Sequence, residues 1–192
     1  MPKIDNVKVY GLEDSFRASK FPFAVDVNAI DGSMTDRIKS LANCKMGTGH
    51  DNFMNGAIVQ FDLTFSIKAW VETERYHFFD FVSSQSTMHC ISKMDIRPMC
   101  NEYVSETVIA EVERLKEIYL NDKTNENYLR LLYNIPVGFE LTARMTTNYR
   151  QLKTMYAQRK PHPLPDWHIF CDFVENLPYS ELITQCGANK EV

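Results

Sequence analysis

Positive charge is not gathered anywhere in these 192 residues: the net charge is −4 and acids and bases are mixed along the chain. With no basic stripe, the sequence gives no reason to expect binding along a nucleic-acid backbone. The five cysteines, Cys44, Cys90, Cys100, Cys171 and Cys186, are odd in number and contain no CxxC pair. That argues against a disulfide framework or a zinc ribbon, and reduced, mostly buried thiols are expected. The histidines at 50, 77, 89, 162 and 168 make no ligand pair at helical spacing, so no metal site is expected. A Gly-rich phosphate loop and a Gly-x-Ser-x-Gly elbow are also missing, which leaves little for a hydrolase reading. No apolar run reaches the length of a membrane span, and MPKIDNVKVY lacks the apolar core of a secretory signal, so a cytoplasmic location is expected, that of the host if the chain is phage-encoded. With no low-complexity tract and 44% hydrophobic residues, the chain suits one domain over 1–192.

Alternation and helical spacing supply the elements. Val7 and Val9 alternate with Lys8 and Tyr10 in a first strand, and residues 21–27 have the aromatic and branched content of a second extended piece despite Pro22. Arg17, between them, reads as solvated. Thr35 starts a short helix with Ile38, Leu41 and Ala42 on one side. Residues 44–55 form a Gly-containing loop carrying His50. Residues 57–65 are the clearest strand, with Val59, Phe61, Leu63 and Phe65 on one face. Residues 67–81 repeat apolar positions at helical spacing, which predicts a helix with His77 on its apolar stripe. Helices are also predicted over 105–120, capped by Ser105, and over 126–133. Residues 141–159 read as one helix, because Met145, Asn148, Leu152, Met155 and Arg159 recur at three- and four-residue steps. The prolines of KPHPLP at 160–165 break it into a stiff loop bearing His162, and Asp166 caps a last helix. The tail after Leu182 is expected to fray.

Most of the unusual chemistry falls in residues 74–93, ERYHFFDFVSSQSTMHCISK, where Arg75, His77 and His89 surround Ser83, Ser84, Gln85, Ser86 and Thr87. Hydroxyls both donate and accept, so such a cluster suits a planar base or a phosphate. It is equally the composition of a capped turn. His77 reads as a core histidine or a ligand, and His50 as a loop cap or a binding group. Arg159 reads as a cation facing a negative helix end, worth only a few tenths to about one kcal/mol, or as a group presented to a ligand.

These residues resemble a degenerate form of the signature of flavin-dependent thymidylate synthases, Arg-His-Arg followed after seven residues by Ser-x-Arg-Tyr. Tyr76, His77 and Phe78 fall on the first part, and Ser86, Thr87, Met88 and His89 on the second. Gly49-His50 before the 57–65 strand, and Ile135-Pro136, Asn148, Arg150, Leu152 and Arg159 downstream, keep the family's order and spacing. The resemblance, to a divergent and phage-like member, implies an α+β fold with helices packed on an antiparallel sheet, and a homotetramer with nucleotide sites between subunits. It implies methylation of dUMP at C5 without a catalytic cysteine, using methylenetetrahydrofolate, FAD and NADPH. Carried over position by position, it implies catalytic roles for Ser86 and Arg159. Cofactor contacts fall to His50, His77, Asn148 and His162, and substrate contacts to Arg75, Gln85, Ser86, Arg150 and Arg159. The departures lie at Tyr76 and Phe78, where the family has its flavin-binding arginines, and at Met88, in place of a phosphate-binding arginine for which Arg75 is the nearest substitute. Two functions stay open: a C5-methylating enzyme, or a non-flavin homologue that binds a pyrimidine nucleotide, or serves as an oligomeric binding protein, without turnover. Uracil or cytosine, and methyl or hydroxymethyl, are not distinguished.

Overall fold

The computed structural model describes residues 2–45 and 47–185. In chain order the elements are β1 (Lys3–Tyr10), α1 (Leu12–Ser19), α2 (Asp36–Ala42), β2 (Ile58–Ser66), α3 (Ile67–Thr73), β3 (Phe79–Ser84) and α4 (Thr87–Cys90). They continue with α5 (Glu106–Asn121), α6 (Asn125–Tyr133), β4 (Glu140–Asn148), α7 (Tyr149–Arg159), α8 (Pro165–Glu175) and α9 (Glu181–Thr184). The four strands form an antiparallel sheet in the order β1-β2-β4-β3. The α+β architecture is therefore as the sequence leads one to expect. No helix among the described residues is long and apolar enough to cross a membrane.

The sheet is built on β2, where Val59, Phe61, Leu63 and Phe65 on one face are all fully buried, and Thr64 and Ser66 on the other are buried as well. Its partner β4 sends Ala143 and Met145 to the same side, with Phe61 opposite Met145 and Phe65 opposite Leu141. Onto this face pack Leu152 and Met155 of α7 and Trp167, Phe170 and Val174 of α8. The rings interlock, Phe61 lying 4.8 Å from Phe173 and Phe65 5.2 Å from Trp167. Burial of each such side chain contributes about 1.5–3 kcal/mol, so this face outweighs any local preference of the segments that form it. A second cluster joins α5 and α6 through Ile109, Val112, Leu115 and Leu131 to Phe139, with Ile67 and Leu141 packed against it.

Several local expectations are corrected by this packing. Residues 21–27 are not extended: they make two 3₁₀ turns, Phe21–Phe23 and Val27–Ala29. Arg17 is not simply solvated, because its guanidinium donates to the carbonyls of Val27 (2.7 Å) and Ile30 (3.2 Å) and ties those turns down. The helix predicted over 67–81 stops at Thr73, and Phe79 begins an edge strand. The aromatic and branched residues that gave a helical stripe there are also strong strand formers, and pairing with β4 decides the outcome. His77 consequently leaves the stripe and is exposed.

The predicted helix over 141–159 is likewise half strand. Ala143, Met145 and Thr147 are buried while Thr142, Arg144 and Thr146 are less so, the period-2 pattern of a central strand, and α7 begins only after Asn148. Asp166 is not the cap of α8. Its carboxylate accepts the amide of Ser66 at 2.9 Å and anchors α8 to the β2–α3 junction. Thr35 does cap α2, accepting from the amide of Ile38 at 3.3 Å, whereas Ser105 precedes α5 without a side-chain bond. The thiols are less hidden than expected: Cys171 is buried, but Cys44, Cys90 and Cys100 are half-buried. Leu182 and Ile183 are buried in the core on α9. The rest of the expected frayed tail, from Cys186, lies outside the described residues.

Candidate functional site

The turn from β4 into α7 borders a concavity in the surface. Asn148 closes the strand, and its Oδ1 accepts the amide of Gln151 at 2.8 Å, satisfying one of the free donors at the start of α7. The next amide, Tyr149, donates to the carbonyl of Ala57 at 3.0 Å, which fixes the helix start against β2. Arg150, Gln151, Lys153 and Thr154 then project from the first turns of the helix.

The loop before β2 folds over this end of α7 because a buried cation holds it there. Lys153 is 1% exposed, and its ammonium donates to the carbonyls of Ala42 (2.6 Å) and Cys44 (3.3 Å) and to Oδ2 of Asp51 (2.9 Å). Oδ1 of Asp51 accepts from Nε of Arg150 at 3.1 Å. A buried ammonium is tolerated only when fully paired and hydrogen-bonded, so Asp51 and the two carbonyls fix the loop's position. Two cations share one carboxylate, leaving a local charge of +1 beside the positive end of α7.

Between loop and helix lies a cavity of about 140 Å³ lined by Asp51, Phe78, Asn148, Arg150, Gln151 and Thr154, with Gly47 and Asn55 on the loop side. Gly47 has φ +90°, a backbone conformation that suits glycine. No partner engages Nη1 or Nη2 of Arg150 among the described residues. Phe78 is 66% exposed and has φ +59°.

A second polar cluster gathers around Glu72, with Arg159 and Trp167 buried in it and Lys68 at its exposed edge. Glu72 is its hub, with Oε2 accepting from Nη1 of Arg159 (2.8 Å) and Nε1 of Trp167 (2.9 Å) and lying 3.3 Å from Nε2 of His162. Oε1 accepts from Lys68 at 2.8 Å. Arg159, 4% exposed, also donates to the hydroxyl of Tyr76 (2.6 Å) and the carbonyl of Glu72 (3.3 Å), and its guanidinium lies 4.2 Å from the Trp167 ring. Burial pushes the Glu72 carboxyl up, but hydrogen bonds from Lys68 and Trp167 and the charges of Lys68 and His162 outweigh it and hold the group at about 2. Burial lowers the His162 imidazole below its ordinary value, although Glu72 pulls the other way.

The residues singled out in the sequence divide among three places. Asn148 and Arg150 line the cavity. His50 and His77 are exposed and adjoin the lining residues Asp51 and Phe78 in the chain, and Arg75 is exposed three positions before Phe78. Arg159 and His162 belong to the Glu72 cluster. Asn148 and Arg159 therefore do not share a helical face: they cap and end α7, whose eleven residues span roughly 16 Å. Nor is Arg159 a loosely held cation at a helix end, since three of its nitrogens have partners. Gln85 extends the pairing beyond β3, its amide donating to the carbonyl of Thr142 (2.9 Å) and its Oε1 accepting the amide of Thr142 (2.8 Å). Ser86, half-buried, begins α4 without a capping bond. Sequence reasoning missed Asp51, Phe78, Gln151 and Lys153 at the cavity, and Glu72 and Trp167 in the cluster. The signals for them were Lys153 directly after Leu152, a charge at the edge of an apolar stripe, and Phe78 on a position where the resemblance implies an arginine.

No family model and no curated protein matches the sequence. Solved structures do match over nearly the whole chain. The flavin-dependent thymidylate synthase ThyX from Helicobacter pylori, complexed with FAD and dUMP, superposes with a TM-score of 0.74 at 14% identity, covering 96% of this chain and 99% of that one. A second structure of that enzyme with FAD and dUMP gives 0.75 at 14% identity, covering 96% and 97%. The UMP/dUMP methylase PolB from Streptomyces cacaoi, bound with 5-Br dUMP, gives 0.63 at 13% identity, covering 97% and 95%. At these identities the likeness is one of fold.

Proposed function

We propose that this chain binds a pyrimidine deoxynucleotide of the dUMP kind in the cavity at the start of α7 and methylates it at C5. The observation that carries the reading is Arg150. Asp51 fixes its Nε, while Nη1 and Nη2 remain for a phosphate, which a guanidinium engages through two parallel bonds. The positive end of α7 adds to the attraction, and the solved structures of like fold were obtained with dUMP or its 5-bromo analogue. The chemistry at C5 needs a one-carbon donor, methylenetetrahydrofolate, and reducing equivalents from NADPH. We place the active assembly, a homotetramer, in the cytoplasm. Arg75 and Ser86 are then the groups that neighbouring copies contribute around the base, whereas Arg159 and Gln85 are committed to Glu72, Tyr76 and Thr142 of their own chain and are not assigned to it.

The fit to FAD is partial. Arg150 suits one phosphate of it, with Asn148 beside it, and a bound flavin would supply hydride. Tyr76 and Phe78 stand where the resemblance implies flavin-binding arginines and cannot hold a second phosphate, however, so Arg150 is the one guanidinium lining the cavity among the described residues. The nucleotide is accordingly the ligand assigned to it.

A second reading, nucleotide binding without turnover, is favoured by Tyr76 and Phe78 at the positions where the resemblance implies arginines. Tyr76 is committed to the interior, bonded to Arg159 and to Gln158 at 3.0 Å. Calorimetry with dUMP, with and without FAD, combined with an assay for the 5-methyl product, separates the readings. Binding with product supports the enzyme, binding without product selects the second reading, and no binding of dUMP removes both.

A further inference from the structure

Phe78 is an aromatic residue that its own turn does not call for. The chain passes from the buried Tyr76 to the buried Phe79 through two exposed residues, and the second, Phe78, has φ +59°. Glycine makes such a turn without steric penalty, whereas a bulky side chain there is an outlier that persists only where the surroundings hold it. The ring is nevertheless 66% exposed, so interior packing does not explain it. It lines the cavity, and the amides of Asn148 and Gln151 and the hydroxyl of Thr154 stand around the same space. Such groups offer both donors and acceptors, and the volume matches one six-membered ring.

We infer that Phe78 is the face on which the base of the nucleotide stacks, so that this residue selects a planar heterocycle over a bare sugar phosphate. The inference rests on the nucleotide reading above and deepens it. The base lies flat on the Phe78 ring while its carbonyl and N–H edge meets the amides of Asn148 and Gln151. Arg150 takes the phosphate. An aromatic ring engages a base through its π face and leaves the edge free to be read by polar groups.

The test is calorimetry of dUMP and of 2-deoxyribose 5-phosphate on the wild type, Phe78→Ala, Phe78→Gly and Phe78→Tyr. Phe78→Gly removes the ring without backbone strain, and a thermal melt confirms that it is folded. Expected is a loss of dUMP affinity of roughly 5- to 150-fold in the Ala and Gly variants, with 2-deoxyribose 5-phosphate unchanged and Phe78→Tyr close to the wild type. Undiminished dUMP affinity in Phe78→Gly overturns the inference and leaves the nucleotide reading standing. Equal weakening of both ligands also overturns it, as does loss of assembled mass by light scattering with dUMP affinity retained, which makes the ring a contact between copies. A wild type that binds neither ligand overturns the inference together with the nucleotide reading.

Discussion

Replacing Asp51 with asparagine removes one charge from the lock between the loop and α7 while keeping the side chain's shape. Asp51 is 4% exposed and receives both Lys153 at 2.9 Å and Arg150 at 3.1 Å. In Asp51→Asn the Lys153 ammonium stays buried with neutral acceptors alone, the carbonyls of Ala42 and Cys44 and the new side-chain amide oxygen, and no countercharge. Removing one partner of a buried pair costs about 3–5 kcal/mol, whereas the more exposed Arg150 contact is worth about 1 kcal/mol or less. In a chain of this size 1 kcal/mol moves Tm by about 2–4 °C, so thermal unfolding followed by circular dichroism should fall by about 6–20 °C. Lys153→Met should cost less, because Asp51 keeps Arg150 and no charge is left stranded. The double variant should recover part of the single Asp51→Asn loss, a coupling expected of residues in contact. A shift within about 2 °C for Asp51→Asn, the range of an unremarkable surface substitution, or strict additivity in the double variant, would refute the claim that this pair positions the loop.

The Glu72 cluster makes two further predictions. Arg159→Ala should destabilise the fold by about 1.5–3 kcal/mol, the range for hydrogen bonds to a charged group, since Glu72 loses Arg159 but keeps Lys68 and Trp167; a denaturant midpoint equal to that of the wild type counts against this. Glu72 sits at about 2 in the folded chain against its ordinary 4.5, so the unfolded state binds the proton more readily. Its contribution is complete above about 4.5 and is lost as pH falls from there through about 2. Glu72→Gln should flatten that acid limb of the stability curve, and an unchanged limb would assign the loss to other groups. For the sequence register, Ser86→Ala should lower activity or dUMP affinity more than Ser83→Ala, which lies on exposed edge strand opposite Arg144. The reverse order would displace the proposed alignment of the signature.

The parts of the fold that could be read in advance are those where local pattern and final packing agree. Strand β2 is the clearest case, since Val59, Phe61, Leu63 and Phe65 all fall on one face of the strand and all end up buried. Strand β4 hid behind a coincidence: Met145 and Asn148 fit a helical step relative to Leu152 and Arg159, although the first two belong to a strand and its end. What decided between the periods was pairing with β2, a partner about 80 positions away in the chain, which no local window contains. The same distance explains the site. Asn148 and Arg150 were legible from spacing and resemblance, but Lys153 and Asp51 are 102 positions apart, and Glu72 meets Arg159 only once α3 and α7 have packed. Arg159 was misread for that reason: its environment is made of residues from other elements.

Diffraction from co-crystals with 5-bromo-dUMP tests the central claim most directly, because the bromine's anomalous signal marks C5 of the base. The account predicts a bromine peak in the cavity in contact with the Phe78 ring, with phosphate density on Arg150. A bromine peak elsewhere on the protein, or a cavity left without ligand at saturating nucleotide, would contradict it.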